Sequence, residues 1–140
     1  MQKAICPDFT ESSGIEKKNH HFKELKCWQR AREWRTALYK VANDLPEKEK
    51  YSLKIQIRRA AVSITANIAE GYGRFHYKEN IQFCRQSRAS IYECEDHLIT
   101  CFDEKYIDEE KYKNLIKLMI KTRKILDGYI RYLERQNKSR

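Results

Sequence analysis

Six cations near the C-terminus carry the clearest chemical pattern in the chain. Lys117, Lys121, Lys124, Arg131, Arg135 and Lys138 follow spacings of 4, 3, 7, 4 and 3, with Gly128 in the longer gap. Such spacings return to one line of an α-helix. A line of cations can follow a phosphate backbone and release counterions as it binds. Tyr129 and Tyr132 lie among them and offer ring surfaces, although Tyr129 also fits a core position. Two plainer readings compete: a solvated helix face, and a face that pairs with an acidic surface of a neighbouring subunit. A second constellation is Cys94, His97 and Cys101, at i, i+3 and i+7 of one helix. Three ligands from one helix would need a fourth from elsewhere to hold a structural zinc. Two cysteines packing as small apolar residues beside an edge histidine need none, and this is the reading adopted. His20 and His21 form an adjacent pair on a polar segment and read as solvated. Catalysis lacks its parts: there is no Gly-rich phosphate loop, no serine-nucleophile motif and no paired His/Asp motif. The expectation is a protein that is not an enzyme and needs no metal and no cofactor.

A cation line of this length needs a long helix, and the hydrophobic pattern supplies four. The first is expected over about Phe22–Asn43, with Phe22, Leu25, Trp28, Ala31, Leu38, Val41 and Ala42 as its apolar stripe. Leu45-Pro46 ends it, because a residue before proline is pushed out of helical geometry. Pro46, Glu47 and Glu49 suit the start of a second helix running to about Glu70, with Gly71 or Gly73 as a left-handed cap. The third is expected over Tyr77–Phe102, with Ile81, Phe83, Cys84, Ser87, Ala89, Ser90, Ile91, Cys94, Leu98 and Cys101 facing inward and no usual N-cap residue at His76-Tyr77. Asp108 is the N-cap of a fourth helix that reaches about Arg135. Its inner seam reads as Leu115, Leu118, Thr122, Ile125, Tyr129 and Tyr132 or Leu133, which places the cation line roughly 100° away. Helices of roughly 33–42 Å joined by short loops imply an all-α, antiparallel up-down-up-down four-helix bundle over residues 22–140. Residues 1–21 lack a period and read as a mobile tail.

The second helix holds an unusual run, Gln56-Ile-Arg-Arg-Ala-Ala-Val-Ser-Ile-Thr-Ala-Asn-Ile-Ala-Glu-Gly-Tyr-Gly-Arg74. Ala60, Ile64, Ile68 and Gly71 make one face; Ala61, Val62, Ala66 and Ala69 are small or apolar on other sides. A helix of this kind is covered on more than one side, which motivates self-association through its outer side. Gln56, Ser63, Asn67 and Glu70 need partners if they are buried. Glu70 also stands unfavourably near the helix C-terminus, so a basic partner such as Arg74 is expected.

Gln56, Ile57, Arg58, Arg59, Ala60, Ser63, Ile64, Asn67, Ile68, Ala69, Glu70, Gly71, Gly73 and Arg74 resemble the signature of the four helix bundle proteins, also called 23S rRNA intervening sequence proteins. The resemblance extends over about residues 22–133, and Ser90 and Glu93 fit it too. It implies a four-helix bundle assembling as a homo-oligomer, a pentamer in known relatives. Some relatives are encoded within insertions in large-subunit ribosomal RNA genes. A related branch, the accessory proteins of diversity-generating retroelements, works with a reverse transcriptase and nucleic acid. Ser90 and Glu93 are expected to bond polar groups of the second helix, Asn67 or Ser63. Arg58, Arg59 and Arg74 are candidates to reach nucleic acid, or to pair with Glu70 or Glu93 inside the assembly.

Composition agrees with such a protein. The 140 residues suffice for one domain with a core. The net charge of +9 favours an anionic partner, most simply nucleic acid. Residues 108–140 hold ten basic and five acidic groups, whereas residues 76–107 hold four basic and six acidic. The five cysteines, Cys6, Cys27, Cys84, Cys94 and Cys101, are odd in number and lack a Cys-x-x-Cys pair, which argues for a reducing cytoplasm. No signal-peptide pattern or membrane-length apolar run is visible. The expected function is that of a basic homo-oligomer that binds nucleic acid, structured RNA or an RNA–DNA hybrid, through phosphate contacts. The rival is a protein-interaction scaffold or accessory subunit for a reverse transcriptase or other nucleic-acid enzyme.

Overall fold

A computed structural model describes residues 21–139. The tail assigned to residues 1–21 lies outside the described residues except for His21, as do Cys6 and His20. The described chain is all-α, with four long helices and no strand: α1 (Lys26–Asn43), α2 (Leu53–Tyr72), α3 (Tyr77–Asp103) and α4 (Glu109–Lys138). Helix α1 packs on α2 and α4, and α3 packs on the same two. Trp34, Leu38, Ile57, Ile64, Ile68, Ile91, Leu98, Leu126, Tyr129 and Leu133 are among the largest fully buried side chains. Each buried aliphatic chain of this size stabilises by about 1.5–3 kcal/mol relative to exposure.

Two helix starts differ from the pattern-based expectation. The first helix does not begin at Phe22. A single 3-10 turn spans Phe22–Glu24, with its first turn closed by His21 Nδ1, which accepts from the Lys23 N–H at 3.2 Å. Leu25 is then extended (φ −69°, ψ 126°) and buried, and α1 follows. The extended residue lets the Phe22 ring turn back edge-on to Trp28, at 5.4 Å between centroids. The second helix starts at Leu53 rather than at Pro46 or Glu47. Pro46 is extended and a second 3-10 turn spans Glu47–Glu49. Glu49 explains the delay: its carboxylate accepts from Ser52 Oγ at 2.6 Å and from the Tyr106 hydroxyl at 2.7 Å. These two bonds hold its pKa below the ordinary carboxylate value.

The other termini follow simple chemistry. Asp108 caps α4 by accepting from the Lys111 N–H at 2.7 Å. His76 precedes α3 in extended geometry and its side chain makes no capping bond. The expected left-handed cap after α2 is absent: Gly73 ends the helix at φ −75°, ψ −7°, still in right-handed geometry. The left-handed residue lies after α3 instead. Lys105 has φ 63°, its N–H bonds Phe102 O at 3.0 Å, and the Tyr106 N–H bonds Cys101 O at 2.8 Å. This pair of bonds is a Schellman motif with lysine where glycine is usual. Within the helices, α1 buries Trp34 and Cys27 in addition to the expected stripe. In α3, Phe83 is only half-buried and Ala89 is exposed.

Cys27, Cys84, Cys94 and Cys101 are reduced and fully buried. Burial pushes the Cys84 and Cys94 thiols up to about 12 and the Cys101 thiol up to about 11. Two predictions follow from these features. Lys105→Gly should stabilise the fold by up to about 1 kcal/mol in urea unfolding, because glycine adopts the left-handed conformation without a Cβ penalty. Raising the pH from about 9 toward 11 should weaken the fold. The thiols ionise first in the unfolded chain, the folded chain then holds more protons, and stability falls as pH rises. A thiol reagent at pH 8 should accordingly label Cys84 and Cys94 in urea and not in native buffer.

Candidate nucleic-acid interface

The signature residues of α2 form a polar seam against α3. The Ser63 and Ser90 hydroxyls are 2.8 Å apart. Asn67 Nδ2 donates to the carbonyl and hydroxyl of Ser63, both at 2.9 Å, and Ser87 donates to Ile64 O at 2.7 Å. Farther along, Arg59 donates to Glu93 Oε2 at 3.0 Å and to Gln56 Oε1 at 2.6 Å. His97 lies 3.2 Å from the same Glu93 oxygen. At the other end, a Cβ on Gly71 would sit 2.6 Å from Asn80 Oδ1 and 2.9 Å from Phe83 Cβ. Gly71 therefore permits the close approach of α3 rather than a backbone reversal. Asn80 is fully buried and donates from Nδ2 to the Tyr129 hydroxyl at 3.1 Å, which ties α3 to α4. Ser87 is buried as its inward-facing position predicts, whereas Asn80 did not stand out in the sequence as a core residue. An asparagine placed on the apolar line of a helix was the available signal.

The three signature arginines are likewise engaged with the bundle. Arg59 pairs with Glu93 as described. Arg74 meets Glu70 at 2.9 Å and Glu79 at 3.8 Å, and its guanidinium lies 4.7 Å from the Phe83 ring centroid. Arg58 donates to Asn43 Oδ1 and stacks over Tyr39 at 5.6 Å. Arg58 and Arg59 sit on α2, which neighbours α1 and α3, and Arg74 lies just beyond the Gly73 cap of that helix, whereas the cation line sits on α4. The structure does not bring Arg58 and Arg59 into one surface with that line.

On α4 the buried line is Leu115, Met119, Thr122, Leu126, Tyr129, Ile130 and Leu133. The expected seam was rotated: Leu118 is 38% exposed and Ile125 only partly buried. Lys117, Lys121, Lys124, Arg131, Arg135 and Lys138 are all exposed. At about 100° per residue they fall roughly opposite the buried line, on the outermost side of the helix, not one position from the seam. Among the described residues, none of these six makes an ion pair. The two carboxylates that lie among the stripe residues are taken by other cations: Glu134 by Arg85 at 3.2 Å, and Asp127 by Arg88 at 2.9 Å and Arg123 at 4.0 Å. The first and last stripe cations are separated by roughly 32 Å at 1.5 Å per residue.

A shallow depression of about 540 Å³ is lined by Lys23, Trp28, Gln29, Arg30, Arg32, Glu33 and Thr36, and its one carboxylate, Glu33, already pairs with Arg30 at 2.8 Å. No three His, Cys, Asp or Glu side chains among the described residues are grouped to hold a metal ion. No helix among them is long and apolar enough to cross a membrane.

Fold and surface together define a class: an all-α protein of four long helices, with a polar seam inside and a line of unpaired cations outside. Residues 23–128 match the family model of the 23S rRNA-intervening sequence proteins, and the chain belongs to that family. Comparison with curated proteins gives no match.

The seam yields a prediction. Gly71→Ala should destabilise the fold by several kcal/mol, because the added methyl meets a fully buried asparagine and the first atom of a neighbouring side chain, neither of which has room to retreat. Gly73→Ala, whose Cβ would meet nothing closer than 3.5 Å, should leave the urea midpoint near wild type.

Proposed function

We propose that the chain is a non-enzymatic, basic homo-oligomer that binds nucleic acid through phosphate contacts along α4. The observation that carries this reading is the exposed line Lys117, Lys121, Lys124, Arg131, Arg135 and Lys138, free of ion pairs among the described residues. A solvated face on a chain of net charge +9 would have no need to gather its unpaired cations on one line. Structured RNA or an RNA–DNA hybrid is the expected class of partner, with phosphates rather than base edges read.

The proposal includes the bundle's topology and assembly. The pairs Arg59–Glu93 and Ser63–Ser90, with Gly71 against Asn80, set rising numbers on α3 against falling numbers on α2, which supports an antiparallel, up-down-up-down arrangement. Ile55, Val62 and Ala66 are exposed along one line of α2, spaced by 7 and 4 residues, with Arg59 among them. This apolar, small-residue line is the surface through which copies associate, and the family resemblance sets five as the expected number. The stripes of several copies would then act with avidity.

The test is nucleic-acid binding by nuclease-treated protein across a salt series, with mass read by light scattering in the same buffers. Wild type should bind with an affinity that falls steeply with salt, by a logarithmic slope of about −0.7 to −0.9 per phosphate contacted. Lys117→Glu, Lys121→Glu and Lys124→Glu combined should lower affinity at least about 100-fold at low salt and leave the mass unchanged. Unaltered affinity in that variant would remove α4 as the site. Weak, salt-insensitive binding by an intact wild-type oligomer would favour a scaffold for a protein client such as a reverse transcriptase.

A further inference from the structure

Tyr92 is a large aromatic residue left 48% exposed in the middle of α3. Its ring has no aromatic or cationic partner among the described residues, unlike Phe102, which stacks on Tyr112 at 4.9 Å. Its position is fixed by its neighbours along the helix. Arg85, Tyr92 and Ile99 are spaced by seven residues and share one line of α3. Arg85 and Arg88 reach across to Glu134 and Asp127 of α4, so this line borders the groove between α3 and α4. Following the Arg88–Asp127 pairing four residues up α3 and the same number back along α4 puts Arg123 and Lys124 level with Tyr92. Two turns farther on, Ile99 comes level with the Ile116–Ile120 segment; Ile99 is 40% exposed and both of those isoleucines are half-buried.

The groove is thus polarised. Beside it, on the outer face of α4, stand Lys117, Lys124 and Arg131, all without ion pairs among the described residues. Its α3 rim carries an exposed tyrosine and an exposed isoleucine beside Glu95 and Asp96. Those two carboxylates make no ion pair among the described residues, whereas the arginines of this rim, Arg85 and Arg88, are already paired with Glu134 and Asp127, so the rim offers a phosphate no unpaired cation. What the α3 rim can receive is the uncharged, flat part of a nucleotide. Base-paired nucleic acid presents its phosphates outward and keeps its bases stacked inside. An unpaired strand can turn phosphates to one wall and a base to the other, and stacking on an aromatic ring tolerates any base.

We infer that the α3–α4 groove takes an unpaired segment of nucleic acid, with its phosphates on Lys117, Lys124 and Arg131 and a base stacked on Tyr92. This rests on the nucleic-acid reading of α4 and narrows it, within a structured RNA, to a single-stranded tail, loop or bulge.

The experiment compares a blunt RNA hairpin with the same hairpin carrying an unpaired tail, by fluorescence anisotropy, on the full chain, with mass by light scattering and helicity by circular dichroism. The tailed hairpin should bind wild type about ten-fold more tightly, as one stacked base supplies. Tyr92→Ala should erase that advantage while leaving blunt-hairpin affinity, mass and helicity unchanged, and Tyr92→Trp should keep it. Equal wild-type affinity for both hairpins, abolished by charge reversal of Lys117, Lys121 and Lys124, would overturn the role of the groove and leave the α4 reading intact. So would an advantage that survives in Tyr92→Ala, or a change in that variant's mass, which would assign Tyr92 to contact with a second copy. Failure of wild type to bind either hairpin would overturn both readings.

Discussion

The close approach of α2 and α3 at Gly71 is the constraint on which the rest of the bundle depends. With a Cβ there, Asn80 and Phe83 would have to move, and Asn80 is the residue that reaches Tyr129 in the core. The contact at that end fixes the register of everything farther along the pair. Ser87 finds the Ile64 carbonyl, Ser90 finds Ser63, and Glu93 finds Arg59. A shift of α3 by one residue would turn each of these groups about 100° from its partner. Each bond contributes only about 0.5–1.5 kcal/mol net, whereas a buried polar group left without a partner costs about 1–3 kcal/mol. The seam therefore acts mainly against wrong registers, with the apolar core supplying most of the stability.

That role explains how the cations are sorted. Most arginines of the described chain are engaged: Arg30, Arg59, Arg74, Arg85, Arg88 and Arg123 with carboxylates, Arg35 with the Thr65 hydroxyl, Arg58 with Asn43. The planar guanidinium fork suits bonds that must hold a direction. The outer line of α4 has four lysines, and its two arginines, Arg131 and Arg135, are also without ion pairs among the described residues. Over Glu109–Lys138 there are nine basic and four acidic residues, and over Lys26–Asn43 five basic and one acidic, so α4 and α1 hold most of the excess.

Much of this was legible in the sequence, and the exceptions have physical causes. Four helices, the Asp108 cap, the Glu70–Arg74 pair and the Ser63–Ser90 bond follow from local patterns and from the need of buried polar groups for partners. The start of α2 was not legible, because it depends on Glu49 bonding Tyr106, a residue 57 positions away. The seam of α4 was misjudged where apolar residues stand side by side: Leu118 or Met119, Ile125 or Leu126. Periodicity alone cannot choose within such pairs, and the choice rotates the helix enough to move the cation line from the flank to the outermost face. Gly71 was legible as a required glycine but was given the wrong reason. Glycine near a helix end suggests a left-handed cap, and only the position of α3 reveals the close contact. Trp34, the largest buried side chain, lay outside the stripe read for α1 because Glu33 and Arg35 flank it in a strongly polar run.

If copies associate through α2 and nucleic acid binds α4, as proposed, the arrangement separates two tasks that would otherwise compete for surface. The exposed apolar line of α2 and the cation line of α4 belong to helices that do not neighbour each other in the packing order, each lying between α1 and α3. An assembly built through α2 would leave α4 on the side away from its neighbour. Each added copy would then add one more cation line. A single line of about six cations, binding weakly and sensitive to salt, gains from such repetition far more than a tight site would. Geometry of this kind favours contacts that are individually modest and tolerant of sequence, which is what lysines opposite the buried face of a helix can make.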